Sequence, residues 1–311
     1  MDKVVKLKPV VKSYIWGGNY FQKYGKGNQD VISELWELSV RDGNSCVIAE
    51  GPYKDKTLKE VITKEDVGLV QDRFPYFPLL IKLLDAKSNL SVQVHPSDDY
   101  ALTNEHSFGK SEMWHIIDAD EGAGLYVGLK EDSTKEEIEK RLNDGTILEV
   151  LNFVKVKPGD TFIINPGTIH AIGAGVRLIE IQQNSDLTYR LFDYNRVDAN
   201  GNHRELHIEK ALKVIDYRKY DLKKSDSEVL ADNQYFKVTR KDFDGELVIK
   251  ANGDSFVSFT FIDGTGTVDE VSFNRFDTFF LPHGKECIVK GKGTVVLSQV
   301  WVIIVKNLER K

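Results

Sequence analysis

The sequence predicts a mainly β protein: a β-sandwich or jelly roll carrying helical insertions, with a second, smaller β-sandwich at the C-terminal end. Three observations predict it. Short runs rich in Val, Ile, Phe and Tyr recur along the chain, separated by Gly, Asp and Asn. Helical signals are few and fall between those runs, as peripheral insertions would. A polar stretch, 220–232, has no aromatic residue after Tyr220, and beyond it the pattern is almost purely β. At 311 residues the chain is about twice a typical ~150-residue domain. Two units are therefore expected, 1–222 and 223–311.

In order, strands are expected at 35–40, 79–84, 90–94, 112–117, 153–156, 162–164, 178–181 and 188–192. Thr57-Leu58-Lys59-Glu60 has the spacing of a capping box and opens a short helix. Residues 133–142 form a second helix, with Ile138 and Leu142 one turn apart, acids early, bases late and Gly145 as the stop. A third helix is expected at 206–214. In the C-terminal part, strands are expected at 235–239, 246–249, 256–261, 278–281, 287–289 and 295–297.

An internal echo suggests that the two units are related. Asp160-Thr161 opens an apolar strand ending at Pro166-Gly167, and Asp277-Thr278 opens one ending at Pro282-His283-Gly284. Three residues after Gly167 stands His170; three after Gly284 stands Cys287. A duplicated sandwich whose second copy lost its site has this pattern, and ordinary strand punctuation produces it too.

Composition narrows the function classes. The 42 Lys+Arg against 48 Asp+Glu give a net charge of -6, without the basic surplus of a general nucleic-acid binder. The two cysteines, Cys46 and Cys287, make neither a disulfide framework nor a Cys-rich zinc site, and read as packing residues. The N-terminal run has no apolar core of a secretory signal. The apolar stretch 300–305 is far short of the ~20 residues a membrane span needs. A cytoplasmic protein without membrane or nucleic-acid partners, a monomer or weak homo-oligomer, is expected.

Three segments carry residues suited to chemistry. In Ser91-Val92-Gln93-Val94-His95, strand alternation puts Ser91, Gln93 and His95 on one face. That face looks either at solvent or into a polar cavity. In Lys110-Ser111-Glu112-Met113-Trp114-His115, Glu112 and His115 point to opposite faces, so only one can reach a shared site. In the third, a strand runs into Pro166-Gly167 and His170 begins the next. Gln93, His95, Glu112 and His170 together offer two imidazoles, a carboxylate and an amide oxygen. Such a mixed set suits zinc with positions left for water or substrate, and manganese and iron(II) accept similar donors.

At these residues the sequence resembles the type I mannose-6-phosphate isomerases (phosphomannose isomerases), in their short bacterial form. The resemblance rests on Trp16-Gly17-Gly18, FPLLIKLLDAKSNLSVQVHP, GKSEMWHI, VKPGDTFIINPGTIHAIGAG and RLIEIQQNSDLTYRLFDYNR, in the family's order across 16–196. It implies a cupin fold and interconversion of mannose 6-phosphate and fructose 6-phosphate. It implies one zinc per chain, held by Gln93, His95, Glu112 and His170; the echo, with Cys287 where the first copy has His170, points to a C-terminal unit without metal. It places Arg190 as the catalytic arginine, Glu180 as a catalytic carboxylate, and Ser91 and Lys110 near the substrate; Arg196 matches a further basic residue by spacing only. Many members carry histidine before the lysine and proline after it, where this chain has Gly109 and Ser111. An acid/base role for that histidine therefore does not transfer.

The expected chemistry moves a proton between C2 and C1 through a cis-enediol. Arg190 would stabilise the enediolate, being permanently cationic with fixed donors. Glu180 is the preferred base, with an ion pair to Arg177 or Arg190 as the structural alternative, since a neighbouring cation lowers carboxylate basicity. Lys110 is read first as a phosphate ligand and second as a proton carrier in ring opening, and Trp16 as an apolar wall. The rival readings are a non-enzymatic metal-binding cupin that binds sugars and a metal-dependent cupin oxygenase.

Overall fold

The computed structural model describes residues 1–72, 76–197, 200–222, 227–251 and 253–301. The chain divides into two compact units. One comprises Pro9–Glu37 and Leu79–Ser227; the other comprises Met1–Lys8, Leu38–Pro78 and the chain from Glu228 onward. Residues 1–8 and 38–78, which the linear reading places within 1–222, thus group with the C-terminal strands. Strand pairing is the cause: Val5, Lys6 and Leu7 lie antiparallel against Phe280, Phe279 and Thr278, and Val47–Ile48 extends the same sheet. Residues 223–226 of the polar stretch, and 302–305 of the terminal apolar run, lie outside the described residues.

The first unit has the two facing sheets of a cupin. A six-stranded sheet runs in the order Thr161–Ile164, Glu112–Ala119, Val176–Gln183, Leu79–Ala86, Glu34–Leu38, Val10–Lys12. A five-stranded sheet runs Leu151–Lys155, Gly124–Leu129, His170–Ile172, Val92–Val94, Tyr189–Phe192. Alternation separates the side chains as expected: Val92 and Val94 are fully buried in an apolar cluster with Ile169, Leu191 and Tyr189. The other apolar cluster, with Trp114, Phe162, Leu125 and Leu178, fills the opposite part of the unit.

Two of the three expected helices form closely as read. Thr57 and Glu60 make a reciprocal capping box ahead of Leu58–Val61, and Lys135–Asn143 buries Ile138 and Leu142. The third is shorter than expected, Ile208–Ala211, with no side-chain cap at His207. Sequence reading passed over the helix Asp98–Asn104, whose signal is Ser97 capping Tyr100 N with Asp98 and Asp99 in the first turn.

In the second unit, four expected short strands merge into two long ones, Lys237–Lys250 and Glu286–Gln299, paired along their whole length. Gly245 and Gly291 face each other there at φ 117° and 140°, values that only glycine adopts freely, so the break in hydrophobicity is a bend rather than a loop. The core is aromatic, with Phe261 and Phe273 stacked at 3.6 Å and Phe259 on Phe279 at 5.4 Å. The echo is structural at short range. Asp160 accepts from Lys157 N and Asp277 from Asn274 N, each three residues back, and each opens a four-residue strand. Cys46 and Cys287 are free and buried.

Candidate active site

Cross-strand register assembles the site within the first unit. On the five-stranded sheet, Gln93 pairs with His170 on one side and Arg190 on the other. On the six-stranded sheet, Glu180 sits between Lys82 and Trp114, and Gln182 lies beside Glu112. Residues separated by up to a hundred positions in sequence become neighbours because antiparallel partners on one face lie about 5 Å apart.

His95, Glu112 and His170 are all within 1% of complete burial and place their ligand atoms within 4.8 Å of one another. His95 Nε2 lies 3.6 Å from Glu112 Oε2, and His170 Nε2 lies 3.4 Å from Glu112 Oε1. Two ligands each about 2.1 Å from a tetrahedral ion are about 3.4 Å apart, so the spacing fits one shared cation. Each imidazole directs Nδ1 at a backbone carbonyl, His95 to Leu187 O and His170 to Thr168 O, both at 2.8 Å. A carbonyl only accepts, so Nδ1 carries the proton and Nε2 is left as a lone pair. Burial holds both imidazoles neutral, His170 with its pKa lowered to about 4. His95 Nε2 and both Glu112 oxygens lack a hydrogen-bond partner, a costly arrangement that a cation relieves. Gln93 stands beside the set, its amide nitrogen 3.2 Å from His170 Nε2, and a half-turn of the amide would put its oxygen there instead. His115 points the other way, to Thr161 Oγ1 at 2.8 Å.

Beside this cluster lies a chain of buried charges. Lys110 Nζ forms an ion pair with Glu112 Oε2 at 2.8 Å and lies 3.9 Å from Glu180 Oε1. Lys82 Nζ is 3.2 Å from Glu180 Oε1 and 3.9 Å from Glu34 Oε2. Trp114 Nε1 donates to Glu180 Oε2 at 2.9 Å. Burial pushes the Glu180 pKa up, but Lys110, Lys82 and the indole outweigh it and hold the group well below the usual carboxylate range. Glu112, with burial dominant and Glu180 nearby, moves the opposite way. Glu180 therefore pairs with lysines, not with Arg177 or Arg190. Arg177 goes to Asp85 at 3.1 Å, and Arg190 donates to Ser91 Oγ at 3.2 Å and Glu205 O at 2.8 Å.

A cavity of about 310 Å³ lies beside the cluster, which reaches its wall only through Gln93; Lys82, Lys110, Arg190 and Arg204 line it together with Glu34, Glu180 and Asp186, and with Tyr14, Trp16, Trp36 and Ser91. A larger hollow of about 560 Å³, around Gly128, Thr168, Arg218 and Tyr220, touches neither Gln93 nor the chain of Lys82, Glu180 and Lys110. Trp16 is held at the wall by Gly17, where a Cβ would fall 1.9 Å from Ser33 Oγ. Gly109 is likewise forced: a Cβ there would sit 2.4 Å from the backbone of Ser97, so the turn before Lys110 has no room for a histidine.

Arg196 does not line the cavity; all three of its guanidinium nitrogens are taken by Asp193 and Asn89. Sequence reading missed Lys82, Glu34 and Arg204. Lys82 had a signal, a lone cation in the apolar strand Leu79–Ala86; Arg204 had none.

A two-sheet cupin with a buried His–Glu–His cluster beside a cavity lined by paired lysines, arginines and carboxylates is the class that fold and site define. The type I phosphomannose isomerase catalytic-domain profile matches residues 4–115. Mannose-6-phosphate isomerase ManA of Bacillus subtilis is 37% identical over 307 residues, covering 91% of this chain and 97% of its own. A mannose-6-phosphate isomerase of Streptococcus mutans is 33% identical over 297 residues, covering 91% and 93%. The crystal structure of the mannose 6-phosphate isomerase from Bacillus subtilis superposes with TM-score 0.87 at 34% identity, over 96% of this chain and all of that one. The chain belongs to the type I phosphomannose isomerase family.

Proposed function

We propose that this protein interconverts D-mannose 6-phosphate and D-fructose 6-phosphate through a cis-enediol, with one zinc ion held by Gln93, His95, Glu112 and His170. The observation that carries the reading is the pairing of the buried cluster with a cavity walled by Lys110, Glu180 and Arg190. The ion, when bound, supplies Lewis-acid polarisation of the sugar's carbonyl and hydroxyl oxygens.

The chain's own residues do the rest. Glu180, held ionised by Lys82 and Lys110 at the expense of its basicity, is the carboxylate on the cavity wall that would carry the proton between C1 and C2. Arg190, fixed by Ser91 and the Glu205 carbonyl, keeps Nη2 for the enediolate oxygen. Lys110 lies at the buried end of the cavity against Glu112, which favours proton delivery in ring opening over phosphate binding. Trp16, stacked on Tyr14 at 5.6 Å, closes one wall to water. An oxygenase would need open positions for dioxygen beside a two-His, one-carboxylate iron, and gains nothing from the arginines. A sugar-binding cupin without activity would gain nothing from a buried Glu180.

The test is a coupled assay of purified protein with mannose 6-phosphate, before chelation, after it, and after adding back zinc. Fructose 6-phosphate should form, cease and return. Undiminished turnover with metal below a tenth of an equivalent would remove the ion from the mechanism.

A further inference from the structure

The arginines near the cavity differ in what they have left to offer. Arg196 donates Nε to Asp193 O at 3.3 Å, Nη1 to Asn89 O at 2.6 Å and Nη2 to the Asp193 carboxylate, so no nitrogen remains uncommitted. Arg204 grips the same carboxylate as a fork, Nε to Oδ2 at 2.7 Å and Nη2 to Oδ1, and its Nη1 has no partner among the described residues. Arg190 likewise spends Nε and Nη1 and keeps Nη2. Arg190 and Arg204 line the cavity; Arg196 does not. Asp193 is 5% exposed and cannot swing away, so the fork fixes where Arg204 points. One buried carboxylate against three guanidinium groups leaves local positive charge, and after burial Arg204 is the next cause lowering the Arg190 pKa.

We propose that Arg204, aimed by Asp193, holds the substrate's phosphate while Arg190 is kept for the enediolate, with Arg196 bracing Asp193. This rests on the isomerase reading above. A phosphomonoester carries between one and two negative charges at neutral pH and offers three acceptor oxygens, which suits a guanidinium fixed on one side with a nitrogen left to donate. The sugar's reacting carbons would then extend toward Lys110, Glu180 and the ligand cluster.

The test uses the metal-loaded full chain and reads mannose 6-phosphate kinetics beside competitive inhibition by inorganic phosphate. Arg204→Gln should raise KM and the phosphate inhibition constant together by about 10–100-fold, the size of one charge-assisted contact, with kcat within about threefold. Arg204→Lys, which keeps charge but not the fork, should fall between Gln and wild type. The exposed Arg218→Gln removes the same charge elsewhere and should match wild type. If Arg204→Gln does not fold, the lysine variant decides: parity with wild type in both constants overturns the proposal. So does a glutamine variant with unchanged phosphate inhibition, or one that loses kcat at constant KM. Should the wild type turn over no mannose 6-phosphate, the isomerase reading fails by itself. Phosphate binding by calorimetry, weakened or not by Arg204→Gln, then decides the role of Arg204.

Discussion

Glu180→Gln should expose how much of the site is held together by charge. The side chain is 4% exposed and faces Lys82, itself 8% exposed, at 3.2 Å. Removing one partner of a buried pair costs about 3–5 kcal/mol, because the other charge is left without compensation. Two features place this case near the lower end. Lys82 keeps Glu34 at 3.9 Å, and Glu112 loses a repelling neighbour. A loss of about 3 kcal/mol lowers Tm by roughly 6–12 °C in a domain of this size. Scanning calorimetry of the metal-free protein at neutral pH should show that shift; it also resolves the two units if they melt separately. Glu180→Gln/Lys82→Met should recover at least half, since an apolar side chain of similar length replaces a stranded cation. The pH dependence has a definite sign. A carboxylate held below its ordinary value stabilises the fold fully above about pH 4.3 and loses that contribution as pH falls toward the depressed pKa. The Glu180 contribution should therefore narrow only in acid, while the gap also changes near pH 7, where Glu112, raised to about 7 by burial and by Glu180, titrates in the wild type and at lower pH in the variant. A variant melting within 2 °C of wild type, or a double variant less stable than the single, would refute the reasoning.

Replacing His95, Glu112 or His170 by Ala should reduce bound metal to well below one equivalent by elemental analysis, and Gln93→Ala should reduce it least, an amide oxygen being the weakest donor. The stoichiometry should be one per chain and fall to zero in His170→Ala; a second retained ion would place a metal in the C-terminal unit. Arg190→Ala should lose about 10²–10³ in kcat with little change in KM, and Arg190→Lys should recover only part; a loss in KM alone would make Arg190 a phosphate clamp. Cys287, 2% exposed with its thiol pushed up to about 12 by burial, should resist alkylation in the native protein and react after denaturation.

How far the sequence reached depends on the range of the forces involved. Strand alternation is local, so Ser91, Gln93 and His95 could be put on one face, and Glu112 and His115 on opposite faces, from spacing alone. The capping box at Thr57 and the helix over Ile138 and Leu142 were readable because their hydrogen bonds and contacts span three or four residues. Ordered motifs across 16–196 carried the family and, with it, the ligand set.

Tertiary structure alone decided what depends on register between distant strands. Lys82 reads as an oddity in an apolar run until pairing sets it beside Glu180, 98 positions on, where with Lys110 it lowers that carboxylate's basicity. Met1–Lys8 reads as the start of the first unit until Val5 meets Phe280. Arg196 and Arg204 are equivalent as letters; only the positions of Asp193 and Asn89 engage every nitrogen of one guanidinium and leave Nη1 of the other without a partner among the described residues. The local code sets which way a side chain points along its own strand. The partner it meets is chosen by hydrogen-bonded pairing across the sheets, where each charge is stabilised or stranded by neighbours that sequence distance conceals.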